Sequence, residues 1–288
     1  MTKKICFFGD WGESSSALLK RYSRQTPNNS GVWEDIVGTD NYLDADYHIV
    51  MDAPSQQGLQ QITMDKVIYL QREPINIKSP WIHEDSTDVF YNGSYKNCHN
   101  VVTWWINKDF NDLVNLKKPT KSKKFSTVTS GKYSQDCYVQ RVNFIKRLTD
   151  SFKDIDVYGR GINNYVDSSV YKGSLDYDKN CKFKGHYGYD YSLVLENTTL
   201  KNSWTEKPAD SLLSWSYPIY HGCVNFKDYF PDGGFYQLKN NLEDQNIDDI
   251  IELINKPVNI DLLEESRNNV LFKWNIWPTI KKIIDERT

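Results

Sequence analysis

The feature that most constrains this chain is a recurring pattern of short, mostly apolar runs, each closed by a glycine or a polar turn. Ile5–Phe8, Tyr47–Met51 and Val67–Leu70 mark the first half. Phe125–Ser130, Ile155–Tyr158, Tyr191–Leu195 and Tyr217–Tyr220 mark the second. Runs of roughly 4–8 such residues between turn signals read as strands buried on both faces. The intervening segments carry helix signals. Ser14–Ser16 offers capping hydroxyls ahead of Ala17-Leu18-Leu19. Val139, Val142, Ile145 and Leu148 recur at every third residue within Cys137–Phe152. Glu206–Trp215 and Val270–Ile284 are patterned as helices too. Strands alternating with such crossovers predict parallel sheets with helices on both faces.

A chain of 288 residues has room for about two units of this kind. The break falls at Asn115–Lys124. There Lys117-Lys118-Pro119-Thr120-Lys121-Ser122-Lys123-Lys124 is basic, contains proline and lacks apolar residues. It is read as a solvated linker rather than a phosphate or membrane patch. The expected division is residues 1–118, residues 119–266, and a terminal helix over 267–288 that packs back on the first unit. Two α/β units facing each other make a cleft, a common place for a ligand.

Composition removes several classes of function. Lysine and arginine number 35 against 38 aspartates and glutamates, a net charge of −3, which argues against a nucleic-acid binder. No stretch approaches the ~20 apolar residues that span a bilayer. The apolar run after Met1 is too short for a signal peptide and reads as the first strand of a cytosolic fold. Cys6, Cys98, Cys137, Cys181 and Cys223 are odd in number and far apart, so they are read as reduced thiols without a zinc site. The five histidines show no ligand spacing. Aromatic residues reach 14%, and a few of them exposed beside a cleft would suit a sugar or a nucleotide.

The densest polar constellation runs from Glu196 to Lys207 (ENTTLKNSWTEK). It begins where the YSLVL strand stops, and ligands of open α/β sheets bind beyond the carboxyl ends of strands. It ends where a helix starts, with Thr205 as the cap, and a helix N-terminus favours an anion. Lys207 in the first turn opposes the helix dipole, which an anionic ligand at the same end would explain. On spacing alone, an ordinary loop leading into a capped helix is an equal reading.

The run from Tyr191 to Pro231 resembles the α-1,3/1,4-fucosyltransferases, glycosyltransferase family ten. The residues that carry the resemblance are Glu196-Asn197, Thr205-Glu206-Lys207, Pro218-Ile219-Tyr220-His221-Gly222 and Asn225–Pro231. Upstream, Tyr138–Phe144 is similar to the family's arginine helix and Val157-Tyr158-Gly159-Arg160-Gly161 to its Tyr-Gly-Arg element. The likeness covers Phe125–Leu238 well and the first 120 residues loosely. It implies an α/β chain of GT-B architecture, two Rossmann-like domains facing across a cleft. The implied donor is GDP-β-L-fucose, bound to the second domain, and the implied reaction is inverting transfer to a hydroxyl of an acceptor glycan.

The resemblance also implies roles. Arg141 and Lys207 stabilise the diphosphate leaving group, by bidentate and point-charge contact. Glu206 and Asn197 hydrogen-bond sugar or ribose hydroxyls. Glu196, Thr205 and, more weakly, Arg160 complete the donor site. Family members carry the base for the acceptor hydroxyl at a strand end in the first domain. Glu73, in Val67–Pro74, fits that place, although it precedes Pro74 directly where the family inserts a residue. The alternative for Glu73 is a surface carboxylate paired with Arg72, with Glu84 and Asp46 as fallback bases. Gly9-Asp10-Trp11-Gly12 would line the acceptor side. Trp204 stands where many members have tyrosine or a smaller residue. Asp44-Ala45-Asp46 has the spacing of a metal-binding Asp-x-Asp motif but precedes a strand in the wrong half, and it is read as a loop. The cationic pair Arg141/Lys207 takes the metal's place, so metal-independent chemistry is expected, with no cofactor beyond the donor. The lack of an anchor points to a cytoplasmic enzyme of bacterial or viral type. The remaining alternatives are the same fold with another nucleotide-sugar donor, or a non-catalytic glycan- or nucleotide-binding module.

Overall fold

Strand β1 (Lys3–Gly9) is buried from Ile5 onward, and its alternating side chains divide two apolar layers. Ile5 and Phe7 point to one face and Cys6 and Phe8 to the other. A strand covered on both faces needs this continuous apolar sequence, and it belongs to a parallel sheet. In this computed structural model the described residues are 2–9, 12–74, 79, 81–82, 90–92, 102–175, 181–239 and 241–287. The first sheet adds β2 (Val32–Trp33), β3 (Ile36–Gly38), β4 (Tyr47–Met51), β5 (Val67–Leu70) and β6 (Phe90–Asn92). Its order is β2-β3-β1-β4-β5-β6, parallel except for the β2–β3 pair. Helices α1 (Ser15–Ser23) and α2 (Gln56–Leu59) belong to this half; α3 (Phe110–Val114) follows it in the chain, but its buried Phe110 and Leu113 join the core of the second sheet.

The second sheet comprises β7 (Lys123–Val128), β8 (Asp156–Tyr158), β9 (Tyr189–Leu195), β10 (Tyr217–His221) and β11 (Tyr236–Gln237). Its order is β11-β10-β9-β7-β8, parallel throughout. It is accompanied by α4 (Asp136–Ser151), α5 (Cys181–His186), α6 (Glu206–Leu213), α7 (Asp244–Leu253) and α8 (Ile260–Asn269). The α4 residues Val142, Ile145 and Leu148 lie in its apolar core, as their spacing predicts.

The C-terminal region departs from a single helix over Val270–Ile284. Val270–Trp274 is one π-helical stretch, and α9 (Ile276–Arg287) begins anew after an extended Asn275. The Asn275 side chain accepts from Trp277 N at 2.9 Å and donates to the carbonyls of Gln25 and Leu271, both at 3.0 Å. Pro278 follows in the first turn of α9, where its missing N–H costs nothing. The break moves the chain from one core to the other. Val270, Leu271 and Trp274 pack with the second sheet, whereas Ile276, Trp277, Ile280, Ile283 and Ile284 pack on β1 and α1. Among the described residues no helix is long and apolar enough to cross a membrane.

The basic stretch before β7 is only partly a solvated linker. Lys117 and Lys118 are exposed, but the Lys121 ammonium donates to the carbonyl of Tyr189 at 2.6 Å and to that of Trp215. Burial pushes that ammonium down to about 8, against the attraction of Asp190. The described thiols of Cys6, Cys137 and Cys223 are free, while Cys98 and the Cys181 side chain lie outside the described residues.

Candidate active site

The carboxyl ends of both sheets open on one cavity of about 750 Å³. Arg72 and Glu73 reach it from the end of β5, Thr129 and Ser130 from β7, Arg160 from β8, and Glu196 and Asn197 from β9. In the second sheet the strand order reverses at β7, with β8 on one side and β9 on the other. Loops leaving such a reversal diverge, and the crevice between them takes ligands. The eight residues that the sequence places in the base and donor roles (Glu73, Arg141, Arg160, Glu196, Asn197, Thr205, Glu206 and Lys207) all line this cavity.

Glu196 is the node of the second wall. It is 4% exposed and follows β9. Its carboxylate accepts from Thr205 N at 2.8 Å, from the Thr205 hydroxyl at 2.7 Å and from Lys207 Nζ at 3.0 Å. Thr205 caps α6, so one carboxylate anchors both the helix start and its first cation. Gly222 makes room for it. At φ +155, a Cβ there would stand 2.5 Å from Glu196 Cγ and 2.6 Å from the Tyr220 hydroxyl. This is a physical reason for the glycine in the Pro-Ile-Tyr-His-Gly element.

The charge argument for Lys207 changes in the structure. Its counter-anion at the start of α6 is Glu196, so no ligand is needed to explain the lysine. Lys182, from α5, pairs with Glu206 at 3.0 Å and with Asp210 at 3.1 Å. Lys182, Glu206, Lys207 and Glu196 thus alternate in sign. Burial alone would raise Glu206, but Lys182 and Lys207 hold its carboxyl far below the usual carboxylate range. Burial pushes Asp210 up to about 6 despite Lys182. Asp210 also accepts from Trp105 N at 2.7 Å, which ties the segment entering from the first half to α6.

Arg141 contrasts with these lysines. It is 4% exposed, yet its partners are neutral. One terminal nitrogen donates to the Asn197 carboxamide oxygen, and the other to the Ser130 carbonyl and hydroxyl at 3.2 and 3.3 Å. Its guanidinium lies 5.3 Å from the Tyr138 ring, and its buried Nε has no hydrogen-bond partner among the described residues. Burial lowers its proton affinity. Glu196 and Glu206 attract it from beyond contact, but among the described residues no carboxylate pairs with it directly; a buried cation held only by neutral groups is costly, so an incoming anion gains there. The Ser130 loop is held by Gly131 N, which donates to the Arg160 carbonyl at 2.9 Å. Gly159, at φ +137, sits where a Cβ would come within 1.7 Å of the Thr129 carbonyl oxygen. Arg160 itself is exposed at the rim.

On the opposite wall Glu73 is half-buried. Burial, Asp52 and Glu206 raise its carboxyl, opposed by Lys207 and Arg72. The alternative pairing of Glu73 with Arg72 gives way to a different one. Arg72 Nε and Nη2 both donate to Asp52, at 3.0 and 2.7 Å. Trp104 and Trp105 extend this wall, with Arg21 5.8 Å from the Trp105 ring.

The other nominated residues fall elsewhere. Asp46 accepts from Lys4 N at 2.8 Å and Asp44 pairs with Lys4 at 2.6 Å, before β4 and off the cavity. Trp204 borders the cavity, but its ring packs against Phe226, Tyr229 and Phe230. His221 is buried at the end of β10. Asp10, Trp11, His83, Glu84 and His99 lie outside the described residues. Among the described residues no cluster of three or more His, Cys, Asp or Glu could hold a metal ion. Lys182, Asp210, Asp52 and Trp105 escaped the sequence reading. Only Asp52 left a local trace, as the polar residue that stops the YHIVM strand.

The C-terminal domain of glycosyltransferase family 10 (fucosyltransferase) matches residues 118–274, more than half of the chain. No protein of curated function matches the chain in sequence. A crystal structure of an α1,3-fucosyltransferase with GDP is 19% identical, covers 100% of this chain and 91% of its own, and superposes with a TM-score of 0.55. An α1,3-fucosyltransferase structure with GDP-fucose gives 0.51 at 19% identity and the same coverage. A DNA-modifying β-glucosyltransferase, solved with and without uridine diphosphoglucose, gives 0.54 at 15% identity over 98% of this chain and 99% of its own. At these identities the likeness shows the fold, which is the GT-B architecture. With that fold and a family match over more than half its length, the chain belongs to glycosyltransferase family 10, the fucosyltransferases.

Proposed function

We propose that this glycosyltransferase moves L-fucose from GDP-β-L-fucose to a hydroxyl of an acceptor glycan, with inversion at the transferred carbon. The observation that carries the reading is Arg141, a buried cation with neutral partners, lining the same cavity as a half-buried carboxylate with raised proton affinity. Glu73 takes the proton of the acceptor hydroxyl. The freed oxygen attacks the fucose anomeric carbon, the bond from that carbon to the diphosphate oxygen breaks, and GDP leaves with the negative charge. Arg141 meets that charge with a fork of donors, and Lys207 adds a point charge as it turns from Glu196. Asn197 and Glu206 bind sugar or ribose hydroxyls, and Arg160 contacts the donor at the rim. Because protein cations neutralise the leaving group, the chemistry needs no metal.

Calorimetric titration with GDP, UDP and CDP, with and without a chelator, tests this reading. Tight, chelator-insensitive binding of GDP alone supports it. Preference for UDP keeps the clamp but discards fucose in favour of another nucleotide-sugar donor. Absence of binding to all three favours a non-catalytic glycan-binding module.

A further inference from the structure

Asp52 stands immediately after β4, at φ +61 and 1% exposed. Each of its carboxylate oxygens does a different job. Oδ1 accepts from two successive backbone amides, Arg72 N at 2.7 Å and Glu73 N at 3.1 Å. Oδ2 accepts from the Arg72 guanidinium at 3.0 and 2.7 Å. Arg72 Nη1 donates onward to the Tyr22 hydroxyl at 3.3 Å, and Tyr22 is buried against Phe7 in the core. Asp52 N donates to the Leu70 carbonyl at 2.9 Å, so the residue also closes the backbone between neighbouring strand ends. Gln71 holds the same turn from the other side, donating to the Glu73 carbonyl at 2.8 Å. The backbone of Glu73 is therefore held on both flanks, and the Asp52 hold carries a full negative charge.

We infer that Asp52 is a positioning residue: it fixes the turn that carries Glu73 and, with Arg72, sets the charge that faces this base from its own wall. The inference rests on the reading of Glu73 as the base. Among the described residues, the charged groups that act on Glu73 are Asp52 and Arg72 from its own wall and Glu206 and Lys207 from the wall opposite. Asp52 and Glu206 favour the protonated carboxyl, while Arg72 and Lys207 favour the carboxylate. Removing the Asp52 charge also leaves the Arg72 cation uncancelled, so both changes lower the Glu73 pKa. Removing the Arg72 charge does the opposite.

The test is the pH dependence of kcat for Asp52→Asn and Arg72→Gln, each an uncharged variant that retains hydrogen-bonding groups. GDP affinity is measured beside it to check the donor wall. Asp52→Asn is expected to lower kcat by roughly 10²-fold, the usual effect of a small misplacement of a reacting group, and to move the acid limb to lower pH. Arg72→Gln is expected to move that limb to higher pH, with GDP affinity unchanged in both. A merely structural role would lower activity without moving the limb in opposite directions. Limbs that coincide with the native one, or that move the same way, overturn the inference. If Asp52→Asn does not fold, the direction in Arg72→Gln decides alone. Glu73→Gln separates the two readings. Full activity there removes the base assignment itself, whereas its inactivity together with unmoved limbs removes only the role of Asp52.

Discussion

The two walls of the cleft treat charge in opposite ways. On the second wall, Lys182 and Lys207 are each matched by carboxylates, whereas Arg141 is surrounded by neutral acceptors. On the first wall it is the cation that is matched, Arg72 by Asp52, and the carboxylate of Glu73 whose proton affinity is raised. Each wall thus presents one group with no ion-pair contact among the described residues, an arginine on one side and a glutamate on the other. The difference teaches that the number of charges in a site says little about its chemistry. Which charge is left uncompensated decides what the site does.

The largest test of this contrast is Glu73→Gln. A positioned base contributes typically 10²–10⁴-fold, so transfer should fall by about that factor while GDP affinity, set by the other wall, stays as it is. Loss of GDP binding in this variant would mean that the walls do not divide the work. Arg141→Met should lower kcat by roughly 10²–10³-fold and weaken GDP binding. Because it removes a buried cation that no carboxylate of the described residues contacts directly, its melting temperature should hold or rise. A large fall in melting temperature would show that Arg141 is compensated after all.

Lys207→Met should behave differently, because it strands the buried Glu196 carboxylate. Breaking such a pair costs about 3–5 kcal/mol of stability, read as a marked fall in melting temperature. Adding Glu196→Gln should recover most of that loss but leave GDP binding weak. Recovered GDP affinity in the double variant would remove Lys207 from the diphosphate contact. Gly222→Ala makes the smallest change. Its Cβ would press on Glu196, and the crowding should cost about 1–3 kcal/mol, visible as a lower melting temperature with little change in the pH profile.

Much of the second half was legible because its signals are local. The apolar run YSLVL stops where β9 stops, Thr205 caps α6, and glycines sit where loops meet backbone to backbone. The apolar spacing of Cys137–Phe152 carried Arg141 onto a helix whose other face is core. The first half was legible as strands but less so as a site. Asp52 and Arg72 are 20 residues apart, and nothing in either neighbourhood announces the pair. Lys182 was equally silent, because its partners Glu206 and Asp210 come from another helix. The terminal segment misled for a related reason. Periodicity runs through Val270–Ile284 unbroken, while the break at Asn275 exists because its side chain is gripped by Gln25, Leu271 and Trp277.

By itself, the amino-acid sequence determined that this protein is an α/β chain with buried parallel strands, that a capped helix follows a strand at Glu196–Lys207, and that Glu73 lies just beyond another strand. These follow from periodicity, caps and turns, which act over a few residues. Only the tertiary structure decided which charges cancel and which remain. Ion pairing depends on distances between groups far apart in the chain, and burial strengthens every such interaction by removing the water that would screen it.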